Sequence, residues 1–270
     1  MGRRYALALV AALGLALTGV ARSAEGPSVT LRIVFPEGFS VRQMADRVSE
    51  VRKIAIRKRK VTPRLTGVSY KNAAARARAP RAFRPYLRRR SVEGFLFPAL
   101  YEFTPETRAS ELIATQLATF EQRWSTIDLT RARARNLNAY DVLMIASMIE
   151  RETAVAAERR LVSAVIYNRL RKGMPLAIDA TLRYGLGIPG TRPLTRKQLR
   201  SNSPYNTRRF KGLPPTPIAN PGVPSMRAAA RPAPRNYLYY VRRPNSLRHF
   251  FTASEAEFCE KVREWGYGEC

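Results

Sequence analysis

A chain of 270 residues with 45% apolar content can pack one large domain or two small ones without covalent staples. Its formal charge of +28 calls for an anionic counterpart, whether nucleic acid, acidic lipid or a polymer of the cell wall, and charge alone does not choose among them. Between Arg52 and Arg90 there are 15 Lys and Arg residues and no Asp or Glu, so more than half of the excess sits in one segment.

Met1 to Tyr5 is a basic leader, and residues 6–20 form a run of 15 without a charge, which is the pattern of an export signal. The run is shorter than the roughly 20 apolar residues of a spanning helix. Ala21-Arg-Ser-Ala24 offers small residues for processing, so cleavage and retention both stay open on the residues alone. An export signal argues against nucleic acid as partner, as does the absence of aromatics interleaved with the basic run.

Residues 29–35 read as a strand, Pro36-Glu-Gly38 as a turn, and Ser40 as the N-cap of a helix over 41–51 with Val41, Met44, Ala45 and Val48 inward. The basic stretch that follows, through Lys71, Arg81 and Arg90, has few large apolar residues. It reads as a loosely packed or partly disordered surface segment, with a helical hairpin carrying a solvated basic face as the alternative. From Ser91 the composition turns aromatic and acids return, which puts a domain boundary near Arg90.

A helix over 108–124 would bury Leu112, Ile113, Leu117 and Phe120. The next opens on Asn138 as N-cap, with Asp141 favouring the positive end of the dipole. Residues 142–149 are apolar on every side, the signature of a buried helix, and it ends in Glu150-Arg-Glu-Thr153. Another amphipathic helix over 156–172 stops at Gly173. Turn residues dominate beyond it as far as Pro224, the composition of an ordered loop that builds a site. A strand over 237–241 and a helix over 254–264 close the chain. Cys259 and Cys270 either form a disulfide closing a short loop or remain thiols, and neither has the neighbours of a zinc site.

Glu150 and Glu152 are the candidates for acid/base chemistry, one as the acid and the other in a structural or supporting place. A carboxylate attached to a buried helix is costly to ionise, so it can hold a proton near neutral pH, as a glycosidic general acid must. At about 100° per residue the two side chains point about 200° apart, which predicts that they cannot both enter one pocket. Surface pairing with Arg151, Arg159 or Arg160 is the structural alternative for both.

Six blocks stand in order along the chain: Ala146-Ser-Met-Ile-Glu-Arg-Glu-Thr153, Val165-Ile-Tyr-Asn-Arg-Leu170, Asp179-Ala-Thr-Leu-Arg-Tyr-Gly185, Ser203-Pro-Tyr-Asn-Thr207, Gly212-Leu-Pro-Pro-Thr-Pro-Ile-Ala-Asn-Pro-Gly222 and Tyr237-Leu-Tyr239. Together they resemble the endolytic murein transglycosylases of the bacterial envelope, a YceG-like family. Pro36-Glu-Gly38 and Glu93-Gly-Phe-Leu-Phe-Pro98 match more weakly. The chain departs from the family pattern at Ala99-Leu100, where Asp-Thr is common, and at Phe258, where a His is common.

The resemblance implies an α+β protein: a membrane anchor or signal over 1–24, a small basic LysM-like module over 29–90, and a larger catalytic domain over 91–270 with a loop-built groove. It implies cleavage of the β-1,4 bond between N-acetylmuramic acid and N-acetylglucosamine within the strand, with 1,6-anhydro ends, trimming or terminating nascent strands. Glu150 falls on the family's catalytic position. Glu152, Asp179, Tyr184, Tyr205, Asn206 and Thr207 are the expected substrate-binding set, with Asp179 otherwise the N-cap of a short helix. No metal or cofactor is expected, and His249 reads as structural. The expected partners are peptidoglycan strands, the membrane through a retained N-terminal segment, and the peptidoglycan synthesis machinery. The expected location is the inner membrane with the catalytic domain outside. A non-catalytic glycan-binding protein is the alternative.

Overall fold

The structure, a computed structural model, describes residues 29–268. The expected anchor over 1–24 and the pairing of Cys259 with Cys270 lie outside the described residues. Among the described residues no helix is long and apolar enough to cross a membrane.

Strand β1 (Leu31–Val34) buries Leu31 and Ile33 and exposes Arg32 and Val34, the period of a half-buried strand. Pro36 to Phe39 then turn the chain into helix α1 (Val41–Ile54), where Ser40 caps Gln43 and Gln43 returns the bond in a capping box. Met44, Ala45 and Val48 face inward as expected. A π-helical turn (Ala55–Arg59) follows, and Lys60 ends it with φ at 57°.

The basic stretch is ordered, which corrects the loosely packed reading in favour of its alternative. Helix α2 (Gly67–Arg76), capped by Thr66, packs on α1. A Cβ at position 67 would lie 2.6 Å from the Ala45 carbonyl oxygen, so only glycine lets the two backbones approach this closely. Leu65, Tyr70, Ala74 and Phe83 are buried, and the Tyr70 hydroxyl donates to Gln116 Oε1 at 2.6 Å. Few large residues suffice because alanines allow close packing, while the cations stay in solvent at their outer ends.

Strand β2 (Leu100–Phe103), not foreseen, pairs antiparallel with β1, with Ile33 opposite Tyr101 and Arg32 opposite Glu102. The expected boundary near Arg90 is therefore bridged by a β ladder. One apolar cluster joins Leu31, Ile33, Met44, Tyr70, Leu96, Tyr101 and Leu112 from both sides of it. Helix α3 (Ala109–Trp124) belongs to this cluster through Leu112 and Ile113 and to a second through Phe120.

The second, larger core surrounds α5 (Ala139–Glu152), which follows the single-turn helix α4 (Thr130–Arg133). Asn138 and Asp141 form its capping box, and every residue from Tyr140 to Ile149 is buried. Helix α6 (Arg159–Arg171) packs beside it. The turn-rich region also holds α7 (Asp179–Leu186), the short α8 (Arg196–Leu199) and α9 (Val223–Ala230). The small residues Ala228 to Ala230 let α9 lie against α5. Strands β3 (Tyr239–Arg242) and β4 (His249–Thr252) form a hairpin, and α10 (Glu255–Glu264), capped by Ser254, ends the described chain. The result is the expected mixture of helix and sheet, built as two cores sharing α3.

Candidate active site

Helix α5 ends where its polar residues begin. Thr153 donates its N–H to the Ile149 carbonyl, and its hydroxyl both accepts from Val155 N–H and donates to Val155 O, turning the chain sharply. Glu150 is thereby left on the rim of the larger core with a side chain only 7% exposed. Its Oε2 accepts the Gly222 N–H at 3.0 Å, and its Oε1 lies 4.0 Å from Arg159 Nη2.

Glu152 points elsewhere, toward the hairpin, and accepts the Tyr240 hydroxyl at 2.8 Å. Burial pushes its pKa up, with the Tyr240 hydrogen bond opposing and Asp179 adding to the rise. The two carboxylates thus have separate partners, as helical geometry requires. The stronger expectation, that they could not border one pocket, is corrected. A cavity of about 240 Å³ is lined by both, together with Arg151, Thr153, Arg242 and His249, because α5 stops at Glu152 and the cavity wraps around its end.

His249 and Arg242 of the β3–β4 hairpin form the cavity's far wall. His249 Nδ1 lies 2.7 Å from Glu158 Oε2, and its backbone N–H donates to Glu158 Oε1, a nearly dry pair that fastens β4 to the start of α6. Its ring also meets Tyr240 edge-on at 5.4 Å. This structural use fits the role expected for His249.

A third carboxylate stands near Glu150. Glu37, at the tip of the turn between β1 and α1, approaches Gly222 so closely that a Cβ there would fall 1.7 Å from Glu37 Oε1. Desolvation and then the charge of Glu150 push the Glu37 pKa up, while Arg159 pulls it down. Only a Pro-Glu-Gly turn was visible in the sequence, since nothing local says where a turn will dock.

Asn220 does the docking. It is fully buried; its Nδ2 donates to Phe39 O and Glu93 Oε1, its Oδ1 accepts from Leu96 N–H, and its backbone pairs with Gly38 and Phe39. Within the loop over 212–222 this one side chain joins three segments. Ser147 of α5 anchors the same loop by accepting the Ile218 N–H.

Glu93 lies at the back of a second cavity, about 430 Å³, lined also by Arg42, Lys71, Tyr184 and Tyr205. Burial pushes its pKa up to about 7 although Val41 N–H, the Tyr184 hydroxyl and Asn220 all donate to it. Tyr184 and Tyr205 meet edge-to-face at 5.2 Å. These two expected binding residues are thus brought together.

The others are not. Asn206 is fully buried, with Nδ2 donating to Leu199 O and Ser201 O and Oδ1 accepting from Arg208 N–H. Thr207 is buried against Thr181 and accepts the Ile178 N–H. Both spend their polar atoms on the chain, which corrects their assignment as sugar-binding groups. Asp179 is the first residue of α7 rather than its N-cap, which is Ile178, and it pairs with Arg208 at 2.7 Å.

The sequence pattern of the YceG-like family matches residues 8–264, nearly the whole chain. The chain belongs to the YceG-like family. The endolytic murein transglycosylase of Bacillus subtilis is 38% identical over 157 residues, covering 57% of this chain and 42% of that protein. The protein of the same name from Streptococcus pneumoniae is 28% identical over 177 residues, covering 64% and 32%. The chain therefore spans less than half the length of these curated relatives. The crystal structure of a YceG-like protein from Listeria monocytogenes matches with a TM-score of 0.71 at 27% identity, over 84% of this chain and 74% of that one.

In this YceG-like chain the cluster around Glu150 thus draws on four separate segments: the β1–α1 turn, the end of α5, the start of α6 and the loop that leads into α9. Among the described residues no three His, Cys, Asp or Glu side chains gather as a metal site would require.

Proposed function

We propose that this protein cuts peptidoglycan glycan strands internally, at the β-1,4 bond between N-acetylmuramic acid and N-acetylglucosamine, and leaves 1,6-anhydro ends. One observation carries the reading: Glu150 is a nearly buried carboxyl beside an open cavity, fixed through one oxygen by the Gly222 amide, at the position that the family resemblance marks as catalytic. Glu150 gives its proton to the leaving glycosidic oxygen as the bond to C1 breaks. It then takes the proton of the muramyl C6 hydroxyl, whose oxygen bonds to C1 and closes the anhydro ring. An attacker already on the sugar supplies the effective concentration that water lacks, and the donor regains its proton in the same cycle.

The Tyr184 and Tyr205 rings in the second cavity offer faces and edges for a neighbouring sugar. The strand, turn and helix at the start of the chain support a LysM-like module that helps to hold glycan. The relatives' names support murein as substrate. The family resemblance favours retention of the N-terminal segment in the inner membrane with the folded part outside, and the basic residues that follow suit an anionic lipid or wall polymer there, beside the peptidoglycan synthesis machinery.

Digestion of purified peptidoglycan by the wild type and Glu150→Gln, with mass spectrometry of the products, tests the proposal. Anhydro-muramyl ends that vanish in the variant are the expected result. Reducing ends from the wild type would make the protein a hydrolase, and strands bound but left intact would make it a glycan-binding protein.

A further inference from the structure

The turn that carries Glu37 is held by the site, although it belongs to the smaller core. Gly38 N–H donates to Asn220 O at 3.0 Å, Asn220 N–H donates to Phe39 O at 2.9 Å, and Arg151 Nη1 donates to Gly38 O at 3.2 Å. The turn is thus fastened at once to the loop before α9 and to the residue that follows Glu150.

Glycine at 222 then has two consequences. Its N–H holds Glu150 Oε2, and its missing side chain leaves the space that Glu37 Oε1 occupies. Backbone lengths place these two oxygens no more than about 7 Å apart. That is close enough for one bound sugar to meet both carboxyls.

Only the more distant charge of Arg159 favours an acid at this point. The Glu37 carboxyl accepts no hydrogen bond from the described residues, forms no ion pair with them within 4.0 Å, and has the Glu150 carboxyl as neighbour. Much of the residue faces solvent, so a bound strand would meet it. A merely structural turn would fare better with a neutral residue there, because two like charges so close repel.

We propose that Glu37 is a second carboxylate of the reaction centre. Glu150 moves the proton; Glu37, across Gly222, faces the positive charge that develops at the anomeric carbon as the glycosidic bond breaks. No bond to Glu37 forms, and its charge is unchanged through both steps. Gly222 lacks a side chain so that both carboxyls can reach the same sugar. This inference rests on the glycan-cleaving reading above and adds to it that the smaller core supplies part of the chemistry.

The test measures turnover and pH profile on purified peptidoglycan for the full chain, Glu37→Gln, Glu37→Asp and Glu37→Gln/Glu150→Gln, with thermal unfolding as a control. Glu37→Gln should lower kcat on the order of 10²-fold with KM nearly unchanged. It should also flatten the acid-side rise of the profile, since its amide cannot ionise, and Glu37→Asp should recover part of the rate. The double variant should be no slower than Glu150→Gln alone, as residues acting together are not additive. A Glu37→Gln enzyme within about twofold of wild type overturns the proposal. So does a loss shared equally by Gln and Asp that leaves the pH profile unchanged, which marks the turn as structural. Reducing ends from the wild type would sink the anhydro reading while leaving the Glu37 comparison decisive, and a wild type that cuts nothing would end both.

Discussion

The Gly222 amide meets Glu150 Oε2 at 3.0 Å, joining residues 72 apart in the chain. Position 222 has φ at −80°, which any residue adopts, so its requirement for glycine is one of space alone. Gly222→Ala should keep the fold, with a thermal midpoint near that of wild type. Its methyl would displace the Glu37 carboxyl or the loop, and kcat on peptidoglycan should fall by roughly tenfold or more, since small misplacements at a reacting centre are costly. An alanine variant with wild-type turnover would contradict the close packing of this site.

Tyr240→Phe removes the hydroxyl that Glu152 accepts at 2.8 Å and leaves a buried carboxyl short of a donor. The expected loss in unfolding free energy is about 1–3 kcal/mol at neutral pH. The sign of its pH dependence follows from burial, which raises the Glu152 pKa, so folded-state stability falls as the group is forced to ionise. Tyr240→Phe should therefore cost less in acid than near pH 7, a comparison that denaturant melts at the two pH values can make.

Glu93 gives the whole protein a pH-dependent stability. Its pKa rises from an ordinary 4.5 to about 7 in the fold. Its contribution is fully present below about 4.5 and is lost as pH climbs through about 7, by an amount on the order of a few kcal/mol. Urea unfolding at several pH values in that window should show stability declining with pH, and Glu93→Gln should flatten that decline.

Tyr205 and Asn206 are neighbours in sequence with opposite expected behaviour. Tyr205 lines the second cavity, so Tyr205→Ala should raise KM for glycan several-fold while the fold survives. Asn206 is buried and bonded to three backbone groups. Asn206→Ala should cost about 1–3 kcal/mol in stability and leave the KM of the folded fraction unchanged. Equal effects of the two substitutions on KM would restore Asn206 to the binding set.

Helix ends and buried helices were legible from sequence because they depend on neighbours along the chain. Ser40, Asn138 and Ser254 cap the expected helices, and the apolar run over 142–149 is buried throughout. Strand β2 was missed because its pattern is only four residues long and its partner lies on the far side of the basic stretch. The order within that stretch was underestimated because alanine adds little to an apolar tally yet packs closely in a helix pair.

By itself the sequence determined that a carboxylate pair ends a buried helix and that the two side chains diverge. Both follow from local periodicity, which is a property of consecutive residues. The tertiary structure alone decided what each carboxylate meets: Gly222 and Arg159 for Glu150, Tyr240 for Glu152, and, beside Glu150, the Glu37 of a distant turn. Those meetings join segments far apart in the chain through buried groups such as Asn220, and hydrogen bonds of that kind leave no periodic trace in sequence.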